Sequence, residues 1–233
     1  LAAQLPDGST SLALLDGSLV LWGLEGRRVA EGWRRSLLDG YLRALDELRS
    51  RSSVLAGYIS HPRSAEVMGV VRLAACPYPA ARCGTYCGPS APAPCEEVGG
   101  LLDRDLFAHV LVPGERSALF FIRTPLVQDH YGEHEVAFFY LRLSASGGEV
   151  ARVEVPRWVA QDQVQLNLVH ALVLDQCRRG PGYPVALSEA HEQAVVTGAD
   201  REVFWLVVER ALAEQRPASP SSGKSLSKRT RWI

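Results

Sequence analysis

Three groups of side chains in this sequence have types and spacings suited to chemistry. The first is a single carboxylate, Asp16, in LALLDGSLVLWGLEG (residues 12–26). A carboxylate between aliphatic runs is costly to desolvate unless it is paired or bound to a metal. Asp-Gly is also one of the strongest two-residue hairpin signals, so the residues alone favour a turn. Asp7 in PDGST follows Pro6 in a polar stretch and is read as a turn residue. The second group lies in GYPVALSEAHEQAV (182–195), which carries Tyr183 and His191. A neutral imidazole can ligate a metal or move a proton near neutral pH. GYPVAL is predicted as a short strand or turn. SEAHEQAVV is predicted as a helix with Ser188 as its cap, which puts His191 in the first turn. Glu189 and Glu192 flank His191 but do not share its face. A histidine so placed is more often a surface residue than a ligand.

The third group is Cys76, Cys83, Cys87 and Cys95, spaced C-x6-C-x3-C-x7-C. Four thiolates can hold a structural zinc, although paired C-x2-C units would be the stronger signal. Free thiols are the rival reading, and Cys177 is predicted as a core residue of a helix. His109, His130 and His134 do not form a ligand set. DHYGEHE (129–135) lacks the acid that the H-E-x-x-H motif requires, and it reads as a solvated loop. The terminal KSLSKRTR is a short basic tract of a solvated tail.

These side chains need elements to position them. Residues 11–24 read as two strands, or one bent strand, around Asp16. Helical spacing of Val29, Trp33, Leu37, Leu38, Tyr41, Leu42, Leu45 and Leu48 predicts an amphipathic helix over 28–51. VLAGYIS (54–60) reads as a buried strand and RSAEVMGVVRLA (63–74) as a helix. Residues 76–100, rich in Pro, Gly and Cys, form a long insertion. DRDLFAHVL (103–111) is a short helix with Asp103 as a candidate cap. SALFFIRT (117–124), EVAFFYLRL (135–143) and EVARVEVP (149–156) are strands. Helices follow over 159–178 and 200–215. Strands interleaved with helices give a mixed α/β class.

The totals set bounds. The chain has 233 residues, 47% hydrophobic and 22% charged, with a net charge of −1. That is enough for a sizeable core. The near-neutral charge leaves room for a local basic groove but does not announce a nucleic-acid binder. No apolar run approaches the roughly 20 residues needed to cross a bilayer. No leader of the secretory type is evident, so a cytoplasmic location is the expectation.

LLDGSLVLW, AGYISHPRSAEV, LLDRDLFAHVLVPGERSALF, FFYLRL, ARVEVPRWVA and GYPVALSEAHEQAVV occur in this order. The ordered set resembles the bacterial branch of the NurA nucleases, over about Leu12 to Lys228. The resemblance implies an RNase H-like mixed sheet flanked by helices, a homodimer, and DNA cleavage with Mn2+ or Mg2+ alongside a HerA-type hexameric ATPase. It implies a nuclease domain over 1–216, with the Cys-rich 76–100 inserted, and a basic tail over 217–233. It further implies catalytic roles for Asp16, His191 and Tyr183, with Asp16 and His191 as metal ligands. By the resemblance Asp16 matches the second Asp of the family site. A first Asp and a Glu find no match and are expected upstream of Leu1, so little or no cleavage is expected from this chain alone. Two other readings stand beside the nuclease. One is an RNase H-like protein that binds DNA and an ATPase without cutting. The other is a zinc-dependent interaction module built on the Cys loop.

Overall fold

The computed structural model describes residues 11–25, 31–78, 83–87, 94–144, 149–195 and 198–215. The chain divides into two compact units, 1–189 and 190–233. The first unit holds strand β1 (Ser11–Asp16), helix α1 (Glu31–Ser50), β2 (Ser53–Ile59), α2 (Glu66–Ala74), α3 (Cys83–Tyr86) and α4 (Asp103–Val110). It continues through β3 (Phe120–Phe121), α5 (Pro125–His130), β4 (Val136–Arg142), β5 (Val150–Pro156), α6 (Arg157–Ala160), α7 (Gln163–Arg179) and the start of α8 (Val185–Gln193). The second unit holds the end of α8 and α9 (Gly198–Gln215).

The five strands form one mixed sheet in the order β1-β2-β5-β4-β3. β1 and β2 are parallel, with Asp16 beside Tyr58. The remaining pairs are antiparallel, with Gly57 beside Glu154 and Phe138 beside Glu154 on its other side. This is the mixed α/β, RNase H-like class. Both faces are covered. On one, Val54, Ala56 and Tyr58 of β2 and Phe139 and Leu141 of β4 pack against Val169, Val173 and Cys177 of α7. On the other, Leu55, Phe138 and Tyr140 pack against Leu38 and Leu45 of α1, Phe107 of α4 and Val127 of α5. Double coverage explains why β2 and β4 are nearly unbroken apolar runs.

Several local expectations change. Residues 17–24 do not form a second strand; Trp22–Leu24 make a 3-10 turn. Within SALFFIRT only Phe120 and Phe121 pair as strand. The helix expected over 159–178 breaks at Gln161–Asp162, where the Asp162 carboxylate accepts from the backbone N–H groups of Val164 and Gln165 and starts α7. Asp103 does not cap its own helix. It is fully buried, accepts from the Met68 N–H in the first turn of α2 at 2.7 Å and from the Tyr140 hydroxyl at 2.7 Å, and so fastens α2 to β4. His134 is not solvated. It is buried between Asp46 of α1, 2.9 Å from its Nε2, and the Trp158 indole, which donates to its Nδ1 at 3.3 Å. Val29 and the 217–233 tail lie outside the described residues.

Candidate functional site

Asp16 is the last residue of an edge strand, and its side chain is exposed. The hairpin reading fails because the chain does not fold back on β1. Gly17 instead adopts φ +126°, a region open to glycine at little cost, and its N–H donates to the Tyr58 carbonyl at 2.9 Å. The close passage also needs Gly57. A Cβ at Gly57 would meet the Gly17 carbonyl at 2.6 Å and Leu19 at 3.2 Å.

Tyr183 stands next to Asp16, and its hydroxyl is hydrogen-bonded to the Asp16 carboxylate. Burial first, then the bond to Asp16 and its charge, push the phenol pKa up to about 12. At neutral pH Tyr183 is therefore a protonated donor. Its ring meets Tyr58 edge-on, with centroids 5.6 Å apart. The Tyr58 hydroxyl donates to the Gly182 carbonyl at 3.4 Å, and the Cys177 thiol donates to Tyr58 at 3.5 Å. The segment after α7 is thereby seated on the β2 residue that neighbours Asp16. Cys177 is a core residue, as its helical position implied.

Beyond Gly17 the chain crosses to the opposite face. Leu12 and Leu14 pack on the α7 face, so Asp16 shares that side by strand alternation, whereas Arg152 lies against Phe138 on the other. There Glu154, 1% exposed, accepts from Ser18 Oγ at 2.8 Å, Leu19 N–H at 2.9 Å and Arg152 Nε at 3.0 Å. Arg152 also pairs with Glu66 at the start of α2 and stacks over the Phe138 ring at 3.7 Å. The neighbouring carboxylates hold the Arg152 guanidinium above its ordinary pKa against the opposing effect of burial. The Trp22 indole donates to Ser18 Oγ at 3.0 Å. These residues border a cleft of about 220 Å³ lined also by Ile59, Pro62, Arg63 and Ser64. Sequence reading took EVARVEVP as a near-alternating strand and singled out neither Arg152 nor Glu154. The available signal was the flanking helices on both sides, which imply a strand buried on both faces.

The helix carrying His191 begins at Val185, not Ser188, so His191 sits in its last turn. GYPVAL is therefore no strand, and Ser188 is inside the helix rather than at its cap. His191 is exposed and belongs to the second unit. Cys76 is a half-buried and Cys95 a buried free thiol, and Cys87 is half-buried; the Cys83 side chain lies outside the described residues.

A family model described as NurA domain matches residues 1–196. The chain belongs to the NurA family. NurA proteins are nucleases that process DNA ends, and the matched span includes Asp16, Tyr183 and His191. No curated protein and no solved structure gives a significant match. No helix among the described residues of this NurA chain is long and apolar enough to cross a membrane. An exposed Asp16 suits one oxygen ligand of a divalent ion. Among the described residues, however, no group of three or more His, Cys, Asp or Glu side chains is set to hold one. Glu154, the buried carboxylate nearest the loop after Asp16, lies on the other face of the sheet and has both oxygens occupied by protein donors. The described residues thus do not compose a full metal-pair site.

Proposed function

We propose that the sheet end marked by Asp16 and Tyr183 is where this NurA protein hydrolyses DNA phosphodiester bonds, together with the family acids that find no match among the described residues, trimming ends at double-strand breaks with a HerA-type ATPase. The hydrogen bond between Tyr183 and Asp16 carries the proposal. It joins two residues that lie far apart in sequence and that the family resemblance assigns to catalysis. Asp16 supplies negative charge at an exposed strand end and would serve as one oxygen ligand of Mn2+ or Mg2+, ions that would supply charge stabilisation for the hydrolysis. Tyr183, protonated at neutral pH, donates to a phosphate oxygen or orients the attacking water. The resemblance gives His191, in the second unit, the role of a ligand or proton carrier. A homodimer fits α9, where Val203, Phe204, Trp205, Leu206 and Val207 are consecutive and each 58–64% exposed.

The incomplete ligand group among the described residues favours one second reading, a protein of this fold that binds DNA and its ATPase without cutting. A cleavage assay on labelled DNA with Mn2+, with and without chelator, separates the two. Asp16→Asn is expected to lower any cleavage shown by the unsubstituted protein by at least about 100-fold. Tyr183→Phe is expected to lower it about 100- to 1,000-fold, the scale of losing one donor at a reacting centre. Substituted proteins that cut within twofold of the unsubstituted one would remove these residues from the chemistry. Unsubstituted protein that binds DNA but never cuts it would establish the second reading.

A further inference from the structure

The sheet end that carries Asp16 also carries a cluster of cations that the proposed reaction leaves unused. Arg116 bridges to Leu141 beside β4, and its guanidinium packs over Phe139. Nη2 donates to Asn167 Oδ1 at 2.9 Å, and Nη1 donates to His170 Nδ1 at 3.1 Å. His170 donates from Nε2 to the Gly114 carbonyl at 2.9 Å, which leaves Nδ1 as the acceptor. Burial, together with Arg116 and Arg178, lowers the His170 pKa, while the bond to Gly114 opposes the shift. The imidazole is therefore a neutral support. Arg178, in the last turn of α7, brings Nη2 to within 3.4 Å of where a side chain at Gly114 would begin.

Several other arginines of this unit have carboxylate partners, Arg152 with Glu66 and Glu154, Arg123 and Arg157 with Glu135, Arg179 with Asp175, while Arg142 donates to the Leu111 carbonyl. Among the described residues neither Arg116 nor Arg178 has one. Arg116 is instead positioned by neutral acceptors and an aromatic face, so its full charge is available to an anion. A guanidinium fork is matched to phosphate oxygens.

Strand register fixes where this cluster lies. Arg142 ends β4 beside Val150, the start of β5 pairs with the end of β2, and the end of β2 lies beside Asp16. The Gly114 N–H donates to the Arg142 carbonyl, so the Gly114–Arg116 segment is at the Asp16 end of the sheet. Phe139 and Leu141 share one core with Tyr58 and α7, so the cluster is also on the Asp16 face. From Arg116 across β4, β5 and β2 to β1 is four interstrand steps, about 19 Å at about 4.8 Å each. A B-form strand covers that in about five to six nucleotides, at about 3.4 Å per nucleotide.

We infer that Arg116, with Arg178 beside it, grips a backbone phosphate of the DNA strand about five to six nucleotides from the bond cut at Asp16. The distance to the cut rests on the nuclease reading; the phosphate contact does not. The test compares the unsubstituted chain with Arg116→Gln, Arg116→Lys and the double variant Arg116→Gln/Arg178→Gln. Binding of a labelled DNA duplex is measured in chelator across a salt series, and cleavage is measured on duplexes of graded length. Losing one phosphate contact should flatten the plot of log K against log salt by about 0.9, and the double variant should lose up to about twice that. Arg116→Lys should restore most of the slope, which a purely structural role for the guanidinium would not do. In cleavage, Arg116→Gln should slow substrates extending about eight or more nucleotides from the cut and leave those extending about four unaffected. An unchanged salt slope in the double variant, with cleavage by the unsubstituted chain intact, would overturn this inference and leave the nuclease reading standing. A flattened slope with no cleavage by any form would do the reverse.

Discussion

Glu154 ties the loop after Asp16 to the centre of the sheet, and its replacement makes the sharpest test of that arrangement. Glu154→Ala would leave the buried Arg152 with only the part-exposed Glu66 as partner. Removing one partner of a buried ion pair costs about 3–5 kcal/mol. The orphaned Leu19 N–H adds about 1–3 kcal/mol. Against a total stability of about 5–15 kcal/mol, the alanine variant stands at the margin of folding. Glu154→Gln is more informative. Its amide oxygen can still accept from Leu19 N–H and Ser18 Oγ, but its NH2 then faces the Arg152 Nε–H, donor against donor. A loss of about 3 kcal/mol is expected, within the range for an unpaired buried charge. Adding Arg152→Met removes that charge, keeps the loop acceptor and sets a thioether against Phe138. The double variant should return to within about 1–2 kcal/mol of the unsubstituted protein, because buried ion pairs are commonly replaceable by apolar groups. Any cleavage that the unsubstituted protein shows and Glu154→Gln loses should also return, since the loop stays anchored. Urea unfolding and the cleavage assay read the two effects. The reasoning fails if Glu154→Gln costs less than about 1 kcal/mol, or if the double variant is no more stable than the single.

Gly57→Ala should destabilise the first unit by about 1–3 kcal/mol and displace the Asp16 loop, since its Cβ would strike backbone; unfolding unchanged within about 0.5 kcal/mol would contradict this. Burial is the main influence raising the pKa of Tyr41, Tyr58, Tyr131 and Tyr140. The native state keeps these protons while the unfolded chain loses them above about pH 10, so stability should fall as pH rises from there, by up to about 1.4 kcal/mol per pH unit for each tyrosine. Below about pH 10 both states hold the protons and these groups give no pH dependence, so a flat urea midpoint from pH 9 to 11 would count against the assignment. If Cys76, Cys83, Cys87 and Cys95 hold zinc, metal analysis of protein purified without added zinc should find about one ion per chain. A content near zero removes the zinc staple and the interaction module built on it.

Periodicity revealed the long elements because apolar spacing alone determines which face is buried. β2, β4 and β5 lie where the alternation and apolar runs placed them, and α1 buries Leu38 and Leu45 of the predicted stripe. Errors arose where a tertiary partner decided the outcome. Asp16-Gly17 has the chemistry of a hairpin, but the Gly17 N–H bonds to the Tyr58 carbonyl and the Leu19 N–H to Glu154, which draw the chain over β2 instead of back along β1. Tyr183 and Asp16 meet only because α7 brings the chain back over Tyr58. Asp103 and His134 look like surface residues in sequence, yet each ties together elements that are distant in the chain. Arg152 and Glu154 neutralise each other inside the sheet, and no spacing rule marks a pair two residues apart on one strand as buried.

Among the described residues β1 lies at the rim of the sheet and is secured by one ladder, to β2. Strands held from one side exchange their amide protons sooner than those held from both. Peeling of β1 would carry away Asp16 and the acceptor of the Tyr183 hydroxyl together, while β4 and β5 kept their mutual pairing. Warming should therefore silence the protein at a temperature where its circular dichroism is still native, and cooling should restore it without a refolding lag.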